Sequence, residues 1–298
     1  MHDIELTGLD GSNLLGYLTA LGTLRILSGC DADVRMSWHE KGWWMPVVHS
    51  SAENEQALLE RLSRQVCGPE TLNPACRIAK DLTLTRAQFT QLLERTAKES
   101  GPSDRTTADF LSALGSDAFG TGKNEQISDT EFRTMSGAGH QHFLGFMQEL
   151  AEITDIDHLR RALFGRWDYA DQRPSMRWDP ADYRPHALRA EDPSGDPIKT
   201  MRGANRLAVE ALPLFATAPD LGELRTTAFS DRDGATQITW PIWEDPLDVD
   251  TVRSLLSLEA TQTGDSESLR RRGVGQVFQA TRFTEGKYRN FSPARALL

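Results

Sequence analysis

The opening of the chain follows a hydrophobic pattern that predicts a strand, a helix and a hairpin, in that order. Residues 4–6 alternate apolar and polar side chains before a glycine, which is typical of a short strand. Apolar residues then recur at helical spacing over 14–27, after candidate N-cap residues at 10–13. Residues 34–38 and 44–48 flank a Glu-Lys-Gly turn, which predicts a β-hairpin.

Two glycines, Gly16 and Gly22, interrupt the predicted first helix. A glycine costs about 1 kcal/mol relative to alanine inside an exposed helix, so its presence needs a reason. We expect both glycines to allow close packing of this helix on a sheet.

The same pattern predicts further elements along the rest of the chain. The expected helices cover residues 52–66, 84–98, 107–114, 139–152, 156–164, 203–212 and 248–259. The expected strands cover residues 131–135, 175–178, 226–230, 236–240 and a final one at 274–283. Residues 115–129 are rich in Gly, Ser, Asp and Asn, which predicts a mobile loop.

The order of these elements indicates an α+β fold. About seven short strands do not alternate strictly with helices, so short, mostly antiparallel strands and hairpins should pack with about seven helices. A chain of 298 residues can form one large domain or two ordinary ones. We expect a single α+β domain over 1–298; the alternative is two lobes, 1–115 and 130–298, joined by the flexible loop at 115–129.

Composition narrows the class of protein. With 39% hydrophobic and 26% charged residues, the chain is typical of a globular protein. It has no apolar run of membrane-spanning length and no recognisable signal peptide at its start, so we expect a cytoplasmic protein without membrane contact.

The net charge of −10 argues against a free-standing DNA-binding protein, but is compatible with local basic patches or with contacts shared with partners. The cysteines, Cys30, Cys67 and Cys76, favour free thiols over a Cys67–Cys76 bridge.

Motifs for catalysis or cofactor binding are missing from the sequence. It has no HExxH, GxSxG, Walker or GxGxxG motif, and His140 and His142 are spaced for packing at a helix start better than for a shared metal. We therefore predict no catalytic residue, metal ligand or cofactor. The enzymatic alternative is a metal-dependent nuclease using Asp179 and Asp182, if these carboxylates cluster in space.

Two segments combine arginine with aromatic residues. Arg177 and Arg184 flank Trp178 and Tyr183 across a turn, so this segment could stack bases or bind phosphate; the alternative is a structural cluster that stabilises the turn. The second segment, 268–298, contains a single acidic residue, Glu285, and is otherwise basic. Its basic residues are Arg270, Arg271, Arg272, Arg282, Lys287, Arg289 and Arg295, with Phe283, Tyr288 and Phe291 between them. It predicts a surface for phosphate or a partner, or a solvated basic end that balances an acidic body.

The chain resembles a known family in several places. Residues 8–25, GLDGSNLLGYLTALGTLR, followed by Gly42-Trp43-Trp44, resemble the opening of subunits of type I-G (formerly I-U) CRISPR systems. The later pieces at 177–180 (RWDP), 203–208 (GANRLA), 240–243 (WPIW) and 288–291 (YRNF) resemble the family that accompanies or extends the helicase–nuclease of that system.

The resemblance implies a part in antiviral, RNA-guided DNA interference. The chain lacks helicase and HD-nuclease motifs and is shorter than the large subunit of that system, so an accessory or adaptor role is expected. The implied partners are other CRISPR effector subunits, with RNA or DNA bound within a complex. The residues expected to contact nucleic acid or a partner are Arg177, Trp178, Arg184, Asn205, Arg206, Arg270, Arg271, Arg272, Arg282, Lys287, Tyr288 and Arg289. A third hypothesis is a purely structural interaction module with its aromatic residues in the core.

Overall fold

A computed structural model describes residues 1–101, 104–135, 141–182, 199–220, 222–232, 234–285 and 288–298. The helices are α1 (Leu14–Ser28), α2 (Glu55–Val66), α3 (Arg86–Glu99), α4 (Thr106–Leu114), α5 (Phe143–Ile153), α6 (Ile156–Phe164), α7 (Arg202–Val209), α8 (Val249–Leu256), α9 (Glu259–Thr263) and α10 (Ser266–Arg270). The strands are β1 (His2–Glu5), β2 (Arg35–Glu40), β3 (Trp44–Ser50), β4 (Gly115–Thr121), β5 (Gln126–Asp129), β6 (Asp171–Gln172), β7 (Lys199–Thr200), β8 (Thr217–Asp220), β9 (Glu223–Thr226), β10 (Phe229–Arg232), β11 (Ala235–Trp243), β12 (Val274–Glu285), β13 (Tyr288–Phe291) and β14 (Arg295–Ala296).

These elements form an α+β protein, as the sequence predicts. One sheet has the order β1-β3-β2, and a second has the order β10-β11-β12-β13, with β14 also paired to β12. Three two-stranded pairs, β4-β5, β6-β7 and β8-β9, are separate. All pairings between these strands are antiparallel. None of the helices within the described ranges is long and apolar enough to cross a bilayer.

Helix α1 lies at the centre of the fold because it is apolar on almost every side. The side chain of Asn13 accepts a hydrogen bond from the backbone N–H of Gly16 at 3.1 Å and so caps its first turn. Tyr17, in the second turn, stacks on Trp38 of β2 with ring centroids 5.7 Å apart. Its ring also meets Trp240 of β11, at 5.8 Å. The helix therefore joins the two larger sheets in one core.

The close packing of α1 is against another helix, which corrects the prediction that its glycines face a sheet. A Cβ placed on Gly22 would lie 1.8 Å from the carbonyl oxygen of Leu207 in α7. Beside this contact, Glu210 pairs with Arg25 of α1 and, at 2.6 Å, with Arg206 of α7. The absence of a side chain at position 22 thus allows the two backbones to touch and the buried ion pairs to form.

Several sequence predictions differ from the structure. Residues 175–178, predicted as a strand, form no strand. Residues 115–129, predicted as a mobile loop, are mostly the β4-β5 hairpin. Residues 131–135, predicted as a strand, form a turn in which Trp178 donates a hydrogen bond to the Phe132 carbonyl oxygen. The strand predicted as the last, at 274–283, is β12, and β13 and β14 follow it. All three cysteines are free thiols, as predicted.

Candidate functional site

A cavity of about 880 Å³ opens between the first sheet and the end of α6. This volume lies within the range of about 300–1,000 Å³ that is usual for small-molecule pockets. Its wall carries Trp43, Phe164, Trp167 and Tyr169, and Trp43 at the tip of the β2-β3 hairpin is 46% exposed. The full lining is Glu5, Thr7, Gly8, Leu9, Asp10, Asn13, Lys41, Trp43, Met45, Phe164, Arg166, Trp167 and Tyr169. We call this cavity the aromatic pocket.

The two sides of the aromatic pocket meet at Gly8. The backbone N–H of Gly8 donates to the carbonyl oxygen of Leu163 at 2.8 Å, and the Thr7 hydroxyl donates to that of Phe164 at 3.1 Å. A Cβ on Gly8 would lie 2.6 Å from the carbonyl oxygens of Ala162 and Gly165. A glycine is therefore required here for the loop after β1 to hydrogen-bond with the end of α6.

A short repeat in the sequence builds the far wall of the pocket and anchors it. The segment 166–171 reads RWDYAD and 177–182 reads RWDPAD. In the first copy, Trp167 and Tyr169 line the aromatic pocket, with ring centroids 6.1 Å apart and nearly perpendicular planes. Tyr169 has a left-handed backbone with φ of 52°. Non-glycine residues adopt this conformation at some energetic cost, so the surrounding contacts must impose it.

Asp179, in the second copy, anchors the pocket from behind. Its side chain accepts hydrogen bonds from the Asn13 amide at 3.0 Å, the Tyr169 hydroxyl at 3.1 Å and the backbone N–H of Ala181 at 2.9 Å. The residue is 1% exposed. Burial raises the pKa of Asp179, although these three hydrogen bonds to the carboxylate oppose the shift. This buried carboxylate fixes one pocket residue from each side, Asn13 and Tyr169.

The charges at the aromatic pocket are few and of both signs. Lys41 forms an ion pair with Glu5. The Asp10 carboxylate accepts hydrogen bonds from the backbone N–H of Ser12 at 2.9 Å and from its hydroxyl at 2.7 Å. Arg166 is exposed, and no hydrogen bond or ion pair joins it to the described part of the chain. As far as the described residues show, the pocket presents flat rings, an acceptor carboxylate and one unpaired cation, which suits a planar ligand that carries a negative charge at one side.

The predicted stacking surface around Arg177 and Trp178 is corrected by their burial. Trp178 is 0% exposed, packs edge-to-face on Phe132 with centroids 5.8 Å apart, and donates its indole N–H to the Phe132 carbonyl oxygen at 3.0 Å. Arg177 is 8% exposed and donates to the Asn290 side chain at 3.3 Å. These two residues belong to the structural cluster that was the alternative interpretation of this turn. Arg184 lies outside the described residues.

Asn205 and Arg206 are also internal, so neither can contact an external partner in this structure. Both are 0% exposed. The side-chain amide oxygen of Asn205 accepts a hydrogen bond from the backbone N–H of Met176 at 2.8 Å, which ties α7 to the segment around Trp178. The Arg206 guanidinium donates to the Val66 carbonyl oxygen at 2.9 Å and to Glu210 at 2.6 Å. Their role is to hold the fold together.

The basic C-terminal segment divides into separate groups. Arg270, Arg271 and Arg272 are exposed at the end of α10. Arg282 lies on β12, about 26 Å along the strand from its start at Val274, and Arg289 lies beside it on β13. No single patch therefore contains all of these arginines. Lys287 lies outside the described residues, and of Tyr288 only the backbone is described.

Arg282 and Arg289 are engaged with the body of the protein. Arg282 donates to the Glu131 carbonyl oxygen at 2.7 Å, and Arg289 donates to that of Arg133 at 3.2 Å. Burial, followed by the neighbouring charge of Arg289, lowers the pKa of Arg282. The exposed group at Arg270, Arg271 and Arg272 is therefore better placed to contact a phosphate or a partner.

The geometry at Asp179 does not favour the nuclease hypothesis. Both carboxylate oxygens accept hydrogen bonds within the chain, and the side chain of Asp182 is not among those described. Among the described residues, no three His, Cys, Asp or Glu side chains are grouped so that they could hold a metal ion. Asp179 is explained by its structural contacts.

One further constellation has the order of a hydrolase triad. The Ser37 hydroxyl lies 2.9 Å from Nε2 of His49, whose Nδ1 lies 2.7 Å from Asp3. However, Ser37 is 1% exposed within strand β2, so a substrate carbonyl cannot reach its oxygen in this structure. The chain of hydrogen bonds links β1, β3 and β2 across the sheet instead.

The pocket residues Arg166, Trp167 and Tyr169 were missed by sequence reasoning. The signal that could have found them is the repeated Arg-Trp-Asp triplet, of which only the second, buried copy drew attention. The loop from Gly8 to Asn13 and the tip at Trp43 did stand out, because they carry the resemblance to the CRISPR subunits. The structure brings these two segments together at one cavity.

Comparisons with known proteins do not indicate a function for this chain. No family model matches the chain, and no curated protein sequence matches it either. The geometry and chemistry of the aromatic pocket, together with the sequence resemblance, are therefore the basis for inferring its function.

Proposed function

We propose that this protein is a non-catalytic binding subunit of a type I-G CRISPR interference system, which contacts effector partners and nucleic acid. One observation carries the proposal. Gly8, Leu9, Asp10, Asn13 and Trp43, which all lie in the segments that carry the resemblance, line the aromatic pocket. The resembling residues thus converge on an open cavity with an exposed tryptophan, which is a feature of binding surfaces.

The charge distribution fits a subunit of a complex better than a protein that binds nucleic acid on its own. The net charge is −10, so a nucleic acid would be repelled by most of the surface. Arg166 at the pocket and the exposed Arg270, Arg271 and Arg272 are local exceptions. Partners would supply the remaining phosphate contacts in a complex.

The proposal is tested by co-expressing the tagged full chain with the other effector subunits of its system and capturing it by affinity. We expect a stoichiometric complex that retains RNA or DNA after washing. Capture of the chain alone, without any subunit and without nucleic acid, refutes the proposal.

A triple variant examines the exposed arginines in the same assay. Replacing Arg270, Arg271 and Arg272 by Ala should lower the salt concentration at which nucleic acid is released, because up to three phosphate contacts are lost. The control is Arg64→Ala on α2, whose side chain is 72% exposed and is neither part of the pocket lining nor of α10. This control should behave like the unaltered chain.

A further inference from the structure

The rings of the aromatic pocket are the first feature that limits its ligand. Trp43, Trp167 and Tyr169 come from two different segments and face the same cavity. Stacking of one base on aromatic side chains changes affinity by roughly 5- to 150-fold and tolerates any base, since each has a flat π-face. A planar heterocycle matches these walls better than an aliphatic chain does.

The polar groups limit the ligand further. The Asp10 carboxylate has lone pairs beyond the two that accept from Ser12, so it can accept an amino or ring N–H group of a base edge. The pocket lining contains two cations, Lys41 and Arg166. Lys41 forms an ion pair with Glu5, whereas no described residue pairs with Arg166. One unpaired cation suits one phosphate, whereas a track for a long polyanion would need a row of them.

We propose that the aromatic pocket takes one unpaired nucleobase of a single strand, with the adjoining phosphate at Arg166. This inference rests on the proposed function, because it names the ligand of a site within that subunit. Bases in a duplex are stacked on both faces and paired at their edges, so the pocket discriminates single strands from duplexes.

The decisive experiment measures fluorescence anisotropy of labelled strands with the purified full chain. One probe is a single strand of about 12 nucleotides, a length within the usual site sizes of single-strand binding folds. A second probe is an abasic strand of the same length, which keeps the phosphates and lacks the bases, and a third is the duplex. We expect the strand with bases to bind about tenfold more tightly than either of the other probes. Equal binding of the intact and abasic strands overturns the proposal.

Two variants assign the binding to this pocket. Trp43→Ala should weaken binding of the intact strand about tenfold and leave the abasic strand unchanged, while Trp43→Phe, which keeps a ring, should restore most of the affinity. Trp43 is 46% exposed, so its removal does not disturb the core. Arg166→Ala should reduce the slope of log affinity against log salt by about 0.7, and Arg64→Ala should not.

These results are distinguishable from those of the proposed function. If the effector complex assembles but Trp43→Ala leaves single-strand binding unchanged, the base-binding pocket is refuted and the subunit role survives. If Trp43→Ala instead abolishes capture of an effector subunit, the pocket takes a partner's side chain, which also overturns the inference. If neither partners nor strands bind, both proposals fail.

Discussion

Variants of Asp179 test whether burial or hydrogen bonding has the larger effect on the pKa of this carboxyl group and on the stability of the protein. Asp179→Asn preserves the shape of the side chain and removes its charge. Its carbonyl oxygen can still accept from Asn13 and Ala181, and its amide can donate to the Tyr169 hydroxyl, which only has to rotate. Asp179→Ala removes all three interactions.

The magnitude follows from the number of hydrogen bonds. Each contributes about 1 kcal/mol net, so the alanine variant should be about 3 kcal/mol less stable than the asparagine variant. The unfolding entropy is about 2.1 cal/mol/K per residue, or about 0.6 kcal/mol/K for 298 residues. The difference between the two variants therefore corresponds to about 5 °C in Tm.

The change of stability with pH shows in which direction the pKa of Asp179 is shifted, which a comparison of the variants at one pH does not. Burial raises the pKa of Asp179 in the folded state above the unfolded value of about 3.9. The folded state then binds the proton more tightly, so the stabilisation from Asp179 is fully present below that unfolded value. It is lost as pH rises through the raised pKa. The asparagine variant has no such titration, and it should gain stability relative to the unaltered chain as pH rises from about 4.

Urea unfolding of the three proteins, followed by circular dichroism at a series of pH values, checks both expectations. The gap between the asparagine variant and the unaltered chain should widen toward neutral pH. A gap that closes with rising pH would show that the three hydrogen bonds outweigh desolvation and depress the pKa. Equal stability of the alanine and asparagine variants would show that the hydrogen bonds contribute nothing net.

Two other predictions concern the contact between α1 and α7. Gly22→Ala should destabilise the protein by about 1–3 kcal/mol, because its Cβ would lie 1.8 Å from the Leu207 carbonyl oxygen. The control is Gly29→Ala at the end of the same helix, whose Cβ would lie 3.4 Å from its nearest neighbour and which should be close to neutral. Thermal unfolding compares the two variants, and equal Tm values would contradict the close contact. Glu210→Gln should cost about 3–5 kcal/mol in urea unfolding, because it leaves the fully buried Arg206 without its carboxylate; a neutral result would mean that the buried ion pairs are dispensable.

The fold was predictable where a local pattern decides the structure. Helix α1 has an Asn cap and apolar spacing, and the β10-β11 hairpin has a turn between alternating strands, so both were expected close to their observed positions. The β4-β5 hairpin was not, because its Gly-rich sequence is typical of a loop and its pairing is decided by contacts with the rest of the chain. β13 and β14 were missed for a similar reason, since they are short and are stabilised by pairing with β12.

The site was harder to predict than the fold, because exposure is a property of the whole tertiary structure. Trp167 and Trp178 sit in the same Arg-Trp-Asp context, and no local pattern indicates that one lines a cavity while the other is sealed under Phe132. Asn205 and Arg206 were expected to bind partners because they are polar residues in a segment with a family resemblance. Their burial depends on α7 lying between α1 and α6, which the sequence does not reveal.

The duplicated Arg-Trp-Asp triplet also provides an internal reference for measuring the solvent access of a tryptophan. Trp167 and Trp178 have the same neighbours along the chain, so intrinsic peptide chemistry contributes equally to both. Any difference in their rates of photo-oxidation or chemical labelling is then a direct reading of solvent access. A ligand that enters the pocket should slow the reaction of Trp167 and leave Trp178 as the unchanged reference within the same peptide map.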